Sequence, residues 1–164
     1  MDSIATFFSA GANPVPWLDV LGVFIFIAGF IIGLGAVTVI DIHGALGRKS
    51  PYWTEATTRT HKVTKPLIWL GLLLAITGAA ITYRDIGLTG IPLLQAVIAV
   101  VLVLNGLFLS FYVSPFLLNR EREGREKELL PDSLQIKIII SFIISFIGWW
   151  SEVFLLVWYL VVMR

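Results

Sequence analysis

Four long apolar segments constrain this chain more than any other feature. They cover residues 18–42, 66–83, 91–118 and 138–163, and few charged side chains interrupt them. A helix needs about 20 mostly apolar residues to cross the hydrocarbon core of a bilayer. Charged residues make up only 14% of the chain, against about 25% in an ordinary soluble domain. The pattern predicts an all-α, integral membrane four-helix bundle that forms a single transmembrane domain over residues 1–164.

The basic residues predict how these helices are oriented. Ten of the twelve Lys and Arg residues fall in two connections. They are Arg48, Lys49, Arg59, Lys62 and Lys65 in the first, and Arg120, Arg122, Arg125, Lys127 and Lys137 in the second. Connections rich in Lys and Arg stay in the cytoplasm. We therefore expect both connections inside the cell and both chain termini on the non-cytoplasmic side.

Two local signals refine this topology. Met1 to Ala12 contains Asp2 and neither Lys nor Arg, whereas a secretory signal peptide begins with basic residues. We therefore expect the first apolar helix to be retained and to act as its own insertion signal. Further along, Ser50-Pro51 is typical of a helix start, with Ser as the cap and Pro at the first helical position. Residues 51–65 are predicted to form a cytoplasmic helical extension that leads into the second spanning helix.

Small residues recur at helical spacing along the first two apolar segments. At about 100° per residue, each set falls on one face of its helix. The first set is Gly22, Gly29, Gly33 and Ala36, and the second is Gly71, Ala75, Gly78 and Thr82. Apolar burial does not drive helices together in lipid, so residues that allow close approach matter more. We expect the first two helices to pack along these stripes, the alternative being that one stripe faces another subunit.

The fourth apolar segment contains an ionisable residue, Glu152, near its middle. A charge there costs about 2.5–3.5 kcal/mol on insertion scales, so Glu152 is expected to face the bundle interior. Its helical face also carries Ser141, Ser145, Gly148 and Tyr159. Asn105, at a similar depth in the third segment, is a candidate hydrogen-bond partner of Glu152. The functional interpretation is a carboxyl that handles a proton or cation or contacts a ligand. The alternative is a protonated Glu that joins helices or meets a partner subunit.

Two histidines form a second candidate site. His43 ends the first apolar segment and His61 precedes the second, so the predicted topology places both at the cytoplasmic face, with Asp41 and Glu55 nearby in sequence. They are candidates for axial haem ligation or for a mixed His/carboxylate metal site. A three-histidine zinc site is excluded because the chain has only two histidines. The alternative is a pair of interfacial histidines bonded to loop backbone or lipid headgroups.

Three short stretches carry a family resemblance. The pattern Gly-x-Gly-x-x-Thr-x-x-Asp, followed by Ile-Trp-x-Gly and then Asn-Gly, resembles small bacterial membrane proteins and, more distantly, the copper-resistance D and HemJ-like four-helix group. The matched positions are Gly33, Gly35, Thr38, Asp41, Trp69, Gly71, Asn105 and Gly106. The resemblance covers roughly residues 20–118. It implies a multi-pass protein of the bacterial cytoplasmic membrane that handles haem or copper, with haem b as the candidate cofactor, and it assigns no ligand role to either histidine.

Absent features narrow the function. The chain has no cysteine, which excludes disulfides, thiolate metal sites and cysteine nucleophiles. No Walker A, HExxH, GxSxG or GxGxxG motif occurs. A net charge of +1 gives no strong field that attracts nucleic acid.

Three functional hypotheses follow. The first is an accessory or structural subunit of a larger assembly, embedded in the lipid bilayer without catalysis of its own, and associated with other membrane subunits or with its own copies. The second is a haem- or metal-binding redox protein that uses His43 and His61. The third is a small transporter or proton pathway centred on Glu152.

Overall fold

Four long helices dominate the structure, a computed structural model that describes residues 16–163. Helix α1 spans Trp17–Gly47, α2 spans Pro51–Thr82, α3 spans Gly90–Arg122, and α4 spans Asp132–Trp158 and continues as a π-helical turn. Each is long and apolar enough to cross a membrane, and no β-strand occurs in this part of the chain. The predicted all-α architecture with four helices of spanning length is confirmed. The prediction about a signal peptide concerns residues outside the described range.

The helices extend beyond the apolar segments that predict them. Helix α2 runs without interruption from Pro51 to Thr82, so the segment 51–65 and the spanning segment form one helix that contains Pro66. Helix α3 continues to Arg122 through a π-helical segment, Leu109–Val113. Hydropathy identifies only the apolar part of a helix, which lies in the hydrocarbon core. The backbone hydrogen bonds of the helix continue into the adjoining polar residues.

The turn between α1 and α2 is closed by a threonine. Ser50 occupies the predicted N-cap position, but its side chain makes no capping hydrogen bond. The Thr54 hydroxyl donates instead to the backbone carbonyl of Gly47 at 2.7 Å. That carbonyl lies at the end of α1, where no further helical turn supplies a donor, so Thr54 joins the end of α1 to the first turn of α2.

Helices α1 and α2 form a closely packed antiparallel hairpin. A Cβ atom added to Gly29 would meet the backbone nitrogen of Ala75 and lie 2.7 Å from the carbonyl oxygen of Gly71. A Cβ atom on Gly78 would meet the backbone of Phe26. The two predicted stripes of small residues therefore face each other in one molecule, and the backbones approach more closely than any larger residue would allow.

The remaining contacts close the bundle and leave an apolar surface. Helix α4 packs on α3 and α1, and α3 packs on α2. Large apolar side chains cover the outside, including Phe111 at 77% exposure and Val161 at 78%. A surface of this kind suits a hydrocarbon environment, because a soluble monomer rarely exposes large contiguous apolar patches.

Charged groups concentrate in the connections and in the helix ends that adjoin them. Arg84 in the α2–α3 loop pairs with Asp19 at 2.5 Å. In the α3–α4 connection, Arg125 donates from Nε to both carboxylate oxygens of Glu128 at 3.0 Å. This hydrogen bonding lowers the pKa of Glu128. Arg120 is buried and donates to backbone carbonyls of the same connection, among them that of Glu128 at 2.7 Å.

Candidate functional site

Two cavities lie one after the other along the bundle, and all four helices contribute to each. The first, the basic-end cavity, has a volume of about 200 Å³ and is lined by Asp41, His61 and Lys65 among other residues. It lies at the end where the two basic connections meet the helices. The second, the Glu152 cavity, has a volume of about 330 Å³ and contains Glu152 and Gln95. It lies toward the α2–α3 loop.

The Glu152 cavity contains a short chain of hydrogen bonds that joins three helices. The Tyr83 hydroxyl, just after α2, donates to Oε1 of Gln95 on α3 at 2.5 Å. Nε2 of Gln95 then donates to the backbone carbonyl of Glu152 on α4 at 3.2 Å. Glu152 itself is only 4% exposed, and the Oε1 atom of its side chain is buried without a hydrogen-bond partner.

Five aromatic rings form a continuous arc beside this carboxyl group. Trp149 stands edge-on to Phe30 with ring centroids 6.2 Å apart, and Phe30 lies 4.8 Å from Phe26. Phe26 stands edge-on to Tyr83 at 6.2 Å, and Tyr83 stands edge-on to Tyr159 at 4.8 Å. The arc thus begins and ends on α4.

Residue Glu152 lies between the two ends of this arc. It follows Trp149 by three residues and precedes Tyr159 by seven, so all three lie on the same face of the helix. The facing hairpin supplies the other rings, Phe26 and Phe30 from α1 and Tyr83 from the end of α2. The carboxyl group of Glu152 is therefore set within an aromatic wall.

A closed layer separates the two cavities. Nδ2 of Asn105 donates to the backbone carbonyl of Ser141 and to the hydroxyl of Ser145, both at 3.1 Å. The Ser141 hydroxyl donates back to Oδ1 of Asn105 at 2.8 Å. Trp149, 2% exposed, fills the next level, where its ring would collide with any Cβ atom on Gly33. Ser141 also lines the basic-end cavity and Trp149 lines the Glu152 cavity, so this layer lies between the two.

Four ionisable side chains line the basic-end cavity, namely Asp41, Arg48, His61 and Lys65. Oδ2 of Asp41 and Nε2 of His61 are buried and have no hydrogen-bond partner. Lys65 points toward α3, where its Nζ atom lies 3.4 Å from both the Ser110 carbonyl oxygen and the Ser114 hydroxyl. The rest of the lining is mostly apolar, with Ser, Thr and Gln side chains as its other polar groups.

The π-helical segment of α3 supplies acceptors for α2. The hydroxyl of Ser110 accepts a hydrogen bond from Nε1 of Trp69 at 3.1 Å, and its carbonyl accepts from Lys65. A π-helical turn displaces backbone carbonyls from the regular α-helical pattern, and such turns occur frequently at functional sites. Trp69 and Lys65 therefore meet α3 at the one place between Gly90 and Arg122 where its backbone departs from α-helical geometry.

The two predicted ligand histidines have different surroundings. The ring of His43 stacks on Trp53 with centroids 5.3 Å apart, and His43 does not line the basic-end cavity, whereas His61 does. Glu55, near them in sequence, pairs with Arg59 at 2.6 Å. Between residues 16 and 163, no three His, Cys, Asp or Glu side chains are grouped closely enough to hold a metal ion. Haem or metal ligation by the histidines stays a prediction.

The polar residues predicted inside the bundle fall into two groups. Glu152 and Tyr159 lie at the Glu152 cavity or beside it, while Asn105, Ser141 and Ser145 form the closed layer. Asn105 therefore bonds to the two serines rather than to Glu152.

The sequence interpretation missed two residues of the Glu152 cavity, Gln95 and Tyr83. Gln95 is 3% exposed within an apolar helix, and a buried amide of this kind needs partners. A glutamine within an apolar segment was therefore the signal in the sequence that could have identified Gln95. Tyr83 carried no comparable signal, because a tyrosine at a helix end is ordinary at a membrane interface.

No protein-family model, curated protein or solved structure matches this chain. The fold and the two cavities are therefore the basis for any proposal about function.

Proposed function

We propose that this chain is a multi-pass membrane protein that carries protons across the bilayer, with Glu152 as the proton-binding group. The observation that carries the proposal is the Glu152 carboxyl, which is buried, lacks a hydrogen bond at Oε1 and opens into a cavity. Ionisable residues inside a membrane are costly and mark ion or proton pathways when they occur.

The second cavity supports a route rather than an isolated site. The basic-end cavity reaches into the bundle from the opposite end and contains Asp41 and His61, both with unpartnered buried atoms. Between the cavities stand the hydroxyl groups of Ser141 and Ser145, and a hydroxyl both donates and accepts hydrogen bonds. A proton that reaches either cavity would have to pass this layer, which acts as the gate of the proposed pathway.

The basic residues support an orientation for this pathway. In our proposal both basic connections face the cytoplasm of a bacterial cell, as the distribution of Lys and Arg favours. The basic-end cavity then opens toward the cytoplasm and the Glu152 cavity toward the other side.

Proton flux into liposomes tests the proposal. The purified chain is reconstituted with a pH-sensitive dye inside, and a potassium gradient with valinomycin supplies the driving voltage. We expect flux above that of empty liposomes, and loss of this excess flux in Glu152→Gln, which keeps the size of the side chain but cannot ionise. Glu128→Gln, in the exposed α3–α4 connection, serves as the matched control and should conduct like the unsubstituted chain. Equal flux through Glu152→Gln and the control would refute the proposal.

A second candidate, a structural subunit of a membrane assembly, is favoured by the outer face of α4. Aromatic residues recur there at every fourth position, and neighbouring rings pack together, as in Phe146 and Trp150 with centroids 6.3 Å apart. Trp150 is 51% exposed near the middle of α4, whereas Trp in membrane proteins is enriched at the two interfaces. In this candidate the aromatic face packs on a second copy of the chain. Absence of proton flux from a protein that forms stable oligomers would favour it.

A further inference from the structure

The Glu152 cavity combines three features that together define a type of ligand. Its volume, about 330 Å³, lies at the lower end of the range for small-molecule pockets, roughly 300–1,000 Å³. Its walls are mostly apolar, with alanines of α2 and α3 leaving the space open. Its one carboxyl group, Glu152, has an oxygen atom without a hydrogen-bond donor. The cavity therefore suits a small, largely apolar molecule that carries a positive charge or a hydrogen-bond donor for the carboxylate.

The aromatic arc determines which charge that molecule carries. The faces of aromatic rings have negative electrostatic potential and attract cations, most strongly where water is excluded. Phe26, Phe30, Tyr83 and Trp149 all line the cavity, and among residues 16–163 no Lys, Arg or His does so. An anion would meet a carboxyl group and ring faces with no compensating positive charge, whereas a cation is attracted by both.

The residues that line the cavity also indicate which kind of cation it suits. A metal ion needs several oxygen or nitrogen ligands in a tight shell, but between residues 16 and 163 no three acidic or histidine side chains are grouped to provide one. The Gln95 side chain is already used by Tyr83 and by the Glu152 backbone. An organic ammonium ion needs no such shell, because carbon substituents surround its charge and pack directly against aromatic walls.

We propose that the Glu152 cavity binds a small organic cation of the alkylammonium or arylalkylammonium class, which takes the place of the proton on the Glu152 carboxyl. The inference rests on the proposed function and names a substrate class for the same site: cation and proton compete for one carboxyl, so binding of one displaces the other. The other ionisable groups near Glu152 are Tyr83, which lines the cavity from α2, and Tyr159, which packs on Tyr83 from α4. Helices α1 and α3 contribute only apolar side chains and Gln95.

Titration calorimetry on the full chain in mild detergent tests the binding. The probe is benzyltrimethylammonium, and the control ligand is neopentylbenzene, which has the same shape with a carbon atom in place of the charged nitrogen. We expect the cation to bind at least about tenfold more tightly than its neutral analogue, because only the cation pairs with the carboxyl. Equal affinity for the two ligands would overturn the proposal.

Two substitutions locate the site. Glu152→Gln should weaken cation binding by at least about tenfold, and Phe30→Leu should weaken it by about twofold or more through loss of a ring face. Phe146→Leu, on the outer face of α4 and 48% exposed, is the matched control and should bind as the unsubstituted chain does. Unchanged binding by a folded Glu152→Gln protein would place the cation elsewhere and overturn the proposal.

A measurement on the unsubstituted chain keeps the proposal falsifiable if a variant fails to fold. Because cation and proton share one carboxyl, cation affinity should fall as the pH is lowered from about 8 to about 5, and cation binding should release protons into a weakly buffered solution. Affinity that does not change over this range would overturn the inference. Proton flux without cation binding would reject this inference alone, whereas cation binding without proton flux would reject the proposed proton transport alone.

Discussion

Asn105 connects two helices through the only side-chain amide in the closed layer. Its amide group donates two hydrogen bonds to α4 and accepts a third from the Ser141 hydroxyl. The side chains of Asn105, Ser141 and Ser145 are all buried inside the bundle, yet such bonds stabilise membrane proteins only modestly, because the unfolded chain in the bilayer also finds partners. The main role of Asn105 is to fix the register of α3 on α4, and hence the separation of the two cavities.

Replacement of Asn105 by leucine should weaken the α3–α4 contact. Leucine has a similar size but cannot form any of the three hydrogen bonds, so we expect the free energy of unfolding to fall by about 0.5–2 kcal/mol. Unfolding in mixed micelles of increasing SDS content, followed by circular dichroism, measures the change. Thr38→Val is the control, because the exposed Thr38 hydroxyl bonds only to its own helix at Leu34. A loss in Asn105→Leu no larger than in Thr38→Val would contradict the assigned role.

The same residue shows where sequence reasoning stops. The spacing of polar residues on α4 predicted an inward face, and Ser141, Ser145 and Glu152 are all buried. The positions of Asn105 and Glu152 along their apolar segments suggest a similar depth, which makes Glu152 the candidate partner of Asn105. In the structure Asn105 meets Ser141, eleven residues from Glu152, or roughly 16 Å along a helix. Counting along one helix cannot give the offset between two helices, because side-chain packing sets that offset.

At the level of helices, the α1–α2 hairpin is the most closely packed unit of the protein. The close approach of its backbones depends on glycine at specific levels, whereas other glycines of α1 face open space. Gly29 contacts the backbone of α2, while a Cβ atom on Gly35 would meet nothing within 4 Å. The two positions offer a matched comparison within one helix.

Gly29→Ala should destabilise the protein and Gly35→Ala should not. The new methyl group at position 29 would collide with backbone atoms of Ala75 and Gly71, which cannot move without separating the helices. Such overpacking costs typically about 1–3 kcal/mol. At position 35, alanine instead favours the helix by about 0.5–1 kcal/mol. Thermal unfolding in detergent compares the two, and equal melting temperatures would show that the hairpin does not depend on this contact.

The stripes of small residues are visible in the sequence because close helix packing needs a regular spacing of glycine and alanine. Irregular turns within the helices cannot be recognised from the sequence in the same way. The π-helical segment Leu109–Val113 has no sequence signature that hydropathy detects, although Lys65 and Trp69 both bond to Ser110 within it. A π-helical turn is defined by its backbone hydrogen bonds, which hydropathy does not report.

On the scale of the whole molecule, the two ends of the bundle differ in charge. Most of the basic residues lie in the α1–α2 and α3–α4 connections and in the adjoining parts of α2, α3 and α4. Ion pairs form there between helices, such as Lys62 of α2 with Glu121 of α3 at 2.7 Å. The opposite end has the short α2–α3 loop with Arg84 and Asp85. This asymmetry predicts the orientation in the membrane, and the lack of cysteine makes it simple to test, since an introduced cysteine is the only thiol in the chain.

Labelling of single cysteines on intact cells tests the orientation. Asp85→Cys places a thiol in the α2–α3 loop, and Glu123→Cys places one in the α3–α4 connection; both native side chains are exposed. We expect a membrane-impermeant maleimide to label Asp85→Cys on intact cells and Glu123→Cys only after permeabilisation, since the basic connections stay inside. The reverse labelling pattern would show that each cavity opens to the opposite side of the membrane from the one we propose.

The close contact between α1 and α2 also sets an order of assembly during translation. Every residue that this contact uses has been synthesised once Thr82 is added, before α3 exists. Two membrane helices can insert separately and then associate within the bilayer, so this pair can form while the rest of the chain is still on the ribosome. Both cavities need side chains of α4. Neither cavity can therefore form until the last helix arrives, and the proposed proton pathway is absent from an unfinished chain.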